Sequence, residues 1–440
     1  MNTKQREPAP VDDTDTSRAR QILSRIFQNY SGNLAIRLWN GETLRLGADS
    51  PEATLVFHHA YPLRDIVLFR DPLHLAEDYF AGKVSMEGDI YTILRLKDHL
   101  RSLKISAREK SILVGRAIFL RDGSGKSAQM PVIPQASSSR LGSRFGHSKT
   151  TNRNAIAFHY DVSNDFYSLW LDRQMIYSCA YFEGAEASLN QAQEDKLDHI
   201  CRKLRLKPGD RFLDIGCGWG ALIRWAARHY GVRAHGVTLS YNQYEYAQRR
   251  ILEEGLQEQV TVEFKDYRDM DGEACFDKIA SVGMFEHVGL KNLPVYFATV
   301  NRLLKPGGLF LNHGITQDEE GWKKTVSTKF INRYVFPDGE LDTVSNIQRA
   351  MERSHFEIID VEGLRAHYVL TLRHWVRRLE EHRKEALQHV SEATYRVWLL
   401  YMAACALQFE AGEIGVYQIL AAKRGTWPVP APLTRRDIYC

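Results

Sequence analysis

The 440-residue sequence predicts an α/β protein, a parallel sheet with helices on both faces, preceded by a small α+β domain. Three observations carry this. From residue 211 onward, short apolar runs alternate with amphipathic stretches, the pattern of strands crossing back through helices. The first of those runs ends in a turn with three glycines, FLDIGCGWG at 212–220. Between the two halves lies a stretch without hydrophobic periodicity, 121–155, dominated by Ser, Gly, Pro and basic residues. It reads as a flexible, positively charged linker.

Residues 1–16 are polar and read as a disordered N-terminus, with no apolar core that would make them a signal or an anchor. The small domain then spans 17–120. SRARQILSRIF reads as an amphipathic helix with a serine cap. NLAIRLWNGETLRLG reads as a hairpin, two alternating runs about Asn40-Gly41. ATLVFHH adds a strand. PLRDIVLFRDPLHLAEDYFAGKV and DIYTILRLKDHL read as helical, with Gly82 suited to a helix end.

The second domain spans 156–440. RFLDIG, RAHGVTL, VTVEFKD, FDKIASVG and LFLNHGI are its strands. ALIRWAARHYG, YNQYEYAQRRILEEG and LPVYFATVNRLLKPGG are helices, the first two closed by Gly231 and Gly255. FEIIDVEGL and VYQILAAKRG add two strands, and 368–411 between them is mostly helical. The longest apolar stretch, VWLLYMAACAL at 397–407, is shorter than the roughly 20 residues of a membrane span. It is expected in a buried helix.

Composition is 44% hydrophobic and 25% charged with a formal net charge of +4, ordinary for a globular protein. The mild basicity leaves attraction to anionic surfaces open. Six cysteines, at 179, 201, 217, 275, 405 and 440, show no CxxC and no paired spacing. That argues against a disulfide framework or a zinc cluster and fits a reducing cytoplasm.

In an open α/β sheet, ligands sit beyond the carboxyl ends of the strands. Asp214, Gly216, Gly218 and Gly220 occupy the first such end. Their D-x-G-x-G-x-G spacing is neither the dinucleotide fingerprint nor the GK[ST] phosphate loop. It resembles the first motif of class I S-adenosylmethionine (SAM) methyltransferases. After the second strand stand Thr238, Ser240 and Gln243, where most such enzymes carry an acid for the ribose. Neutral hydroxyls and amides also hydrogen-bond a ribose. After the third strand, Asp266 can accept from an adenine amine and Tyr267 can stack on the ring. A Rossmann-like domain for another nucleotide is the competing reading.

Further stretches sharpen the resemblance. HYDVSNDFYSLWLD, MIYSCAYFE, LDIGCGWGAL, GVTLSYNQ, VGMFEHVGLKN and FINRYVFPDGELD together resemble the cyclopropane-fatty-acyl-phospholipid synthases and their mycolic acid relatives. The likeness runs from about residue 155 to the end and is looser in the N-terminal domain, around AEDYFAGKVSMEGDI. It implies transfer of the SAM methyl group to a cis double bond of an acyl chain, followed by ring closure. It also implies Tyr177 and Ser178 beside the cofactor, and a bound bicarbonate as the proton acceptor. Its ligands fall on Cys179, Glu286, His313, Ile315 and Tyr368. Cys179 acts there as a hydrogen-bond donor, Ile315 acts through its backbone, and Glu286 orients the ion. His313 and Tyr368 donate, though Tyr368 sits in a context that departs from the family's more acidic one. Aromatic faces stabilise a carbocation, and Tyr160, Phe166, Tyr177, Tyr181, Phe182 and Phe285 lie near these motifs.

The implied partners are unsaturated phospholipids, met by peripheral contact at the inner membrane surface of the cytoplasm. The basic linker and RHWVRRLEEHRK at 373–384 are candidates for anionic headgroups, although mixed-charge helices commonly face solvent. The small domain is a candidate for lipid presentation or for homodimer contact, and the sequence does not choose. A methyl-branched or hydroxylated chain is the alternative product. Methylation of nucleic acid or protein is disfavoured because neither an NPPY-like motif nor a strongly basic readout stretch is present. A vestigial lipid-binding protein is disfavoured because the SAM and anion residues are both retained.

Overall fold

The computed structural model describes residues 13–69, 72–120, 162–321, 326–336, 339–425 and 431–439. The linker expected at 121–155, Tyr160 and Cys440 lie outside them. The chain divides into two compact units. One contains the described residues up to Leu120 together with Ser391–Ala404, and the other contains residues 162 to Val390 and Cys405 onward.

In the first unit, α1 (Asp13–Ile26) buries Ala19, Ile22, Leu23 and Ile26, spaced to share one helical face. It begins at Asp13, so Ser17 lies inside the helix and is not its cap. The hairpin forms as expected from β1 (Leu34–Arg37) and β2 (Thr43–Leu46). Gly41 takes a φ of +87° in its turn, and Asn40 Oδ1 accepts the Glu42 amide at 3.0 Å. With β3 (Ala53–Phe57) and β4 (Val84–Gly88) they form a sheet ordered β2-β1-β3-β4, parallel only between β1 and β3. Around it run α2 (Ala60–Phe69), α3 (Pro72–Phe80), α4 (Ile90–Leu94), α5 (Leu96–Ser102) and α6 (Ala107–Ile118).

In the second unit α7 (Asn164–Trp170) and α8 (Leu189–Leu204) precede β5 (Arg211–Ile215). There follow α9 (Ala221–Tyr230), β6 (Arg233–Thr238), α10 (Tyr241–Glu253), β7 (Val260–Phe264), β8 (Phe276–Val282) and α11 (Leu293–Leu303). Next come β9 (Leu304–Gln317), α12 (Val326–Tyr334), α13 (Val344–Arg353), β10 (Phe356–Gly363), α14 (Arg365–Glu381) and α15 (Arg383–His389). The chain continues through α16 (Glu392–Ala411), β11 (Ile414–Lys423) and α17 (Arg436–Tyr439). The sheet runs β10-β11-β9-β8-β5-β6-β7. Strands β5 to β9 pair in parallel, but β11 is antiparallel to both its neighbours. The sheet is therefore mixed, not wholly parallel as the alternating pattern predicts.

Alternate residues of each strand serve opposite faces. Phe212, Leu309, Leu311 and Leu420 pack on α8, α9 and α10. Leu213, Ile279, Phe310 and Ile419 pack on α11 and α13. The apolar stretch 397–407 lies in α16 as expected. Its residues up to Ala404 group with the first unit, where Arg396 donates to the carbonyls of Tyr79 at 2.6 Å and Val84 at 3.1 Å. Within the range 156–440 expected for the catalytic domain, the segment Ser391–Ala404 thus groups with the other unit.

Candidate active site

The glycine turn follows β5 directly. Gly216, Gly218 and Gly220 take φ values of +80°, +55° and +79°, a region closed to most side chains. The amides of Gly216 and Cys217 both donate to Val237 O, at 2.9 and 3.0 Å, which fastens the turn to the end of β6. A Cβ on Gly216 would meet Met284 Cγ at 2.8 Å, whereas one on Gly218 would meet nothing. The turn thereby opens one wall of a cleft of about 1090 Å³, counting its solvent-open mouth.

Nine of the expected cofactor residues line this cleft: Tyr177, Ser178, Asp214, Gly216, Gly218, Thr238, Gln243, Asp266 and Tyr267. Two do not. Gly220 is the N-cap of α9, and its missing Cβ leaves room for Ala247 of α10, 3.0 Å from where that atom would stand. Ser240 is the N-cap of α10, its hydroxyl accepting the Gln243 amide. Asp266 lines the cleft, but its carboxylate is already engaged. It accepts the Arg268 amide and Nε at 2.9 Å each and Nη2 at 2.6 Å. Thr238 Oγ1 donates to Gln243 Oε1 at 2.9 Å and accepts the Ser240 amide at 3.2 Å. Tyr267 meets Tyr296 edge-on at 5.4 Å, which fixes its ring plane.

Asp214 places a buried carboxyl in the cleft wall. It is 3% exposed, its Oδ1 has no partner, and burial pushes its carboxyl up to about 7 against the pull of Lys196. Lys196 of α8 also lines the cleft, buried, with Nζ donating to Ser178 Oγ at 2.9 Å. Burial lowers its ammonium to about 8, opposed by Asp172, Cys179 and Asp214. The sequence reading missed Lys196, Arg268, Met284 and His287, all of which line the cleft.

Of the residues expected to hold an anion, Glu286 follows the end of β8, while His313 and Ile315 lie within β9. Pairing of β8 with β9 stops at Val282 and His313. At Ile315 the strand has outrun its neighbour on that side. Glu286, in the 3-10 turn Phe285–His287, fills the gap: its Oε1 accepts the Ile315 amide at 2.7 Å. Its Oε2 has no partner, and burial raises its carboxyl to about 7. Gly314 makes this approach feasible, since a Cβ there would stand 1.8 Å from Phe285 Cε1.

His313 precedes Gly314, so its side chain leaves the other face of β9. Gln418 Nε2 and His313 Nδ1 are 3.2 Å apart. With the amide donating, the imidazole proton is assigned to Nε2, which is buried without a partner. Burial depresses the His313 pKa far below the usual imidazole range, so the ring stays neutral. The Cys179 thiol donates to the carbonyls of Ala180 at 3.3 Å and Leu364 at 3.7 Å, and burial pushes its pKa up. It remains a thiol and leaves its backbone amide to offer. Tyr368 lies one turn after Leu364 on α14, against Phe409 with ring centroids 4.7 Å apart. Glu286 and Ile315 are therefore joined directly, His313 flanks them, and Cys179 and Tyr368 meet around Leu364.

The expected aromatic wall is only partly as read. Of the six residues named for it, Tyr177 alone lines the cleft among the described residues. Tyr181 stacks between His199 and His367, with centroids at 4.2 and 4.8 Å. Phe182 stacks on His374 at 5.6 Å. Phe166 joins a buried cluster with Tyr167 and Trp170, and Phe285 packs towards Gly314. Tyr177 itself packs against Tyr167, Trp170 and Trp375.

Residues 147–419 match the family model described as mycolic acid cyclopropane synthetase. Residues 19–101 match one described as a domain of unknown function, DUF7884. A probable fatty acid methyltransferase of Pseudomonas putida is 40% identical over 420 residues, 95% of this chain and 99% of that one. The cyclopropane-fatty-acyl-phospholipid synthase of Escherichia coli K12 is 45% identical over 267 residues, 60% of this chain and 66% of that one. The crystal structure of mycolic acid cyclopropane synthase CmaA1 with S-adenosylhomocysteine (SAH) and CTAB superposes with a TM-score of 0.58 at 33% identity. It covers 62% of this chain and 98% of that one. The glycine turn, the unpartnered Asp214 Oδ1 and these likenesses agree: the chain belongs to the mycolic acid cyclopropane synthetase family and is a SAM-dependent methyltransferase.

Proposed function

We propose that the protein adds a methylene from SAM across the cis double bond of an unsaturated phospholipid acyl chain. The π pair of the alkene bonds to the SAM methyl carbon as the carbon–sulfur bond breaks, its pair going to sulfur to give neutral SAH. The other alkene carbon becomes a cation. A C–H pair of the new methyl group then closes the ring, and one proton leaves.

The observation that carries this reading is the pair of unsatisfied buried polar atoms, Glu286 Oε2 and His313 Nε2. A methyl transfer ending at a heteroatom needs only a base for that atom. Closing a ring needs a site that takes a proton from carbon inside a dry pocket. The residues fit a small oxyanion: His313 offers Nε2–H, Cys179 its amide, and Glu286, raised to about 7, an O–H when protonated. Bicarbonate held there would supply the proton acceptor. The link from Glu286 to the Ile315 amide fixes the carboxyl plane, so the free oxygen keeps one direction.

Reaching an acyl chain implies peripheral contact with a membrane surface from the cytoplasmic side. No helix among the described residues is long and apolar enough to cross a membrane. Several basic residues of α14 are engaged already, Arg373 with Glu410 at 2.5 Å and Arg377 with Glu381 at 4.0 Å. This favours the linker as the stretch that meets anionic headgroups. A homodimer contact through the small domain belongs to the same reading.

A second reading shares the cation but ends in a methyl branch, the cation being reduced by hydride from a separate donor such as a reduced nicotinamide. The name of the Pseudomonas putida relative, similar over 95% of the chain, specifies methyl transfer to a fatty acid and no ring. Lipid mass spectrometry after expression in a host lacking cyclopropane lipids separates the two. A gain of one methylene in unsaturated phospholipids is expected. A gain of one methylene plus two hydrogens would instead establish the branch. Unaltered lipids beside a methyl-labelled polar macromolecule would overturn both.

A further inference from the structure

Lys196 is 2% exposed and lines the cleft together with Ser178 and Asp214. A lysine ammonium has three N–H donors. Among the described residues it has one hydrogen-bond acceptor, Ser178 Oγ at 2.9 Å. Asp172 stands close enough to act on it through space. That carboxylate is already spent on the amides of Ile176 and Gln174, at 2.8 and 2.7 Å. Asp214, across the same cleft, leaves Oδ1 buried and unpartnered. An ammonium and a carboxylate, both buried and both short of partners, are costly as they stand. The cost is relieved by a ligand bearing the two opposite charges on one carbon atom.

SAM carries such a group at its methionyl end, an α-ammonium beside an α-carboxylate. We infer that Lys196, with Ser178, binds the α-carboxylate of SAM, while Asp214 takes its α-ammonium. Lys196 is thus a cofactor-binding residue that none of the glycine, ribose or adenine motifs reveals. The competing role is structural: Lys196 would only neutralise Asp172 and Asp214. The two roles differ in whether the ligand's carboxylate matters. SAH retains the same zwitterion, so the interaction is made equally before and after transfer. Its loss raises KM for SAM and leaves kcat nearly unchanged.

The test is calorimetric titration of the full chain with SAM, SAH and decarboxylated SAM. The unaltered protein is expected to bind decarboxylated SAM on the order of 10- to 100-fold more weakly than SAM, the loss of one charge-assisted pair. Lys196→Met is expected to weaken SAH by a similar factor and to shrink the SAM preference to within about 3-fold. Lys196→Gln drops the charge but keeps a donor for Ser178, and gives the same readout where Met does not fold, as judged by circular dichroism. A folded variant that keeps the full preference for the carboxylated ligand overturns the inference. The result is independent of the lipid product, which the mass spectra decide separately.

Discussion

The two units satisfy their buried polar groups differently. Among the described residues of the first, the buried side chains of Asp15, Thr16, Asp78 and Thr92 are each hydrogen-bonded. Asp15 holds Arg18, Asp78 holds Lys83, Thr16 accepts from Asn40, and Thr92 donates to Asp89 and Glu52. In the second, Asp214, Glu286, His313 and Gln418 each keep a buried polar atom without a partner. An orphaned buried group costs about 1–3 kcal/mol. A fold retains several only where something else completes them. The contrast agrees with the cleft and the anion residues, which also lie in the second unit.

The sharpest way to break that contrast is at Glu286. Glu286→Gln is expected to lower product formation on the order of 10²- to 10⁴-fold. SAH affinity should stay within about 3-fold, since this side chain does not line the cofactor cleft. Radiolabelled methyl transfer to lipid and calorimetry would measure the two; an equal loss in both would merge the sites held apart here. Phe57, buried in the core of the first unit, tests the other side. Phe57→Ala should cost about 3–5 kcal/mol of that unit's stability in chemical denaturation, again with SAH affinity preserved.

Acidity sharpens the comparison further. The Glu286 carboxyl rises from 4.5 when exposed to about 7 in the fold. The native state therefore binds its proton first, and stability falls as pH rises from 4.5 through 7. The full effect is about 3 kcal/mol. Glu286→Gln should be more stable than the parent by up to that amount near pH 8, with the gap closing towards pH 4.5, in urea unfolding at both ends. A gap independent of pH would show that the carboxyl is not held up by burial. The smallest effect is at Ser240. Ser240→Ala should cost about 1 kcal/mol as a lost cap and change SAH affinity less than about 3-fold; a larger affinity loss would return Ser240 to the ribose site.

Much of this was legible in the residues. The glycine turn, the hairpin at Asn40-Gly41 and the helix ends at Gly231 and Gly255 are local signals. Each depends on a backbone conformation that few residues adopt, so sequence and structure agree there. Strand direction has no such signature, because period-two alternation is the same either way, and β11 turned out antiparallel. Asp266 reads as an acceptor for adenine, and its capture by Arg268 was not legible because it depends on the short turn between them. The grouping of Ser391–Ala404 with the other unit rests on contacts far apart in sequence.

Other signals were present but unused. Ser106 and Glu109 form a capping box at the start of α6, a helix that the sequence reading left out. On α8, Gln193, Lys196 and Lys203 share the buried stripe of Leu189, Leu197, Ile200 and Leu204. Polar residues at core-facing positions of an amphipathic helix mark a lined cavity or a buried ion pair. That pattern alone could have singled out Lys196.

The alternation along β9 also constrains how this gene can change. His313 and Gly314 are neighbours, one presenting an imidazole to one face and the other a bare hydrogen against Phe285. A single-codon deletion between Leu304 and Asn312 would exchange their faces. It would drive an imidazole into the Phe285 ring and leave a hole beside Gln418. Homologues should therefore keep the spacing from the strand's apolar start to the histidine free of indels.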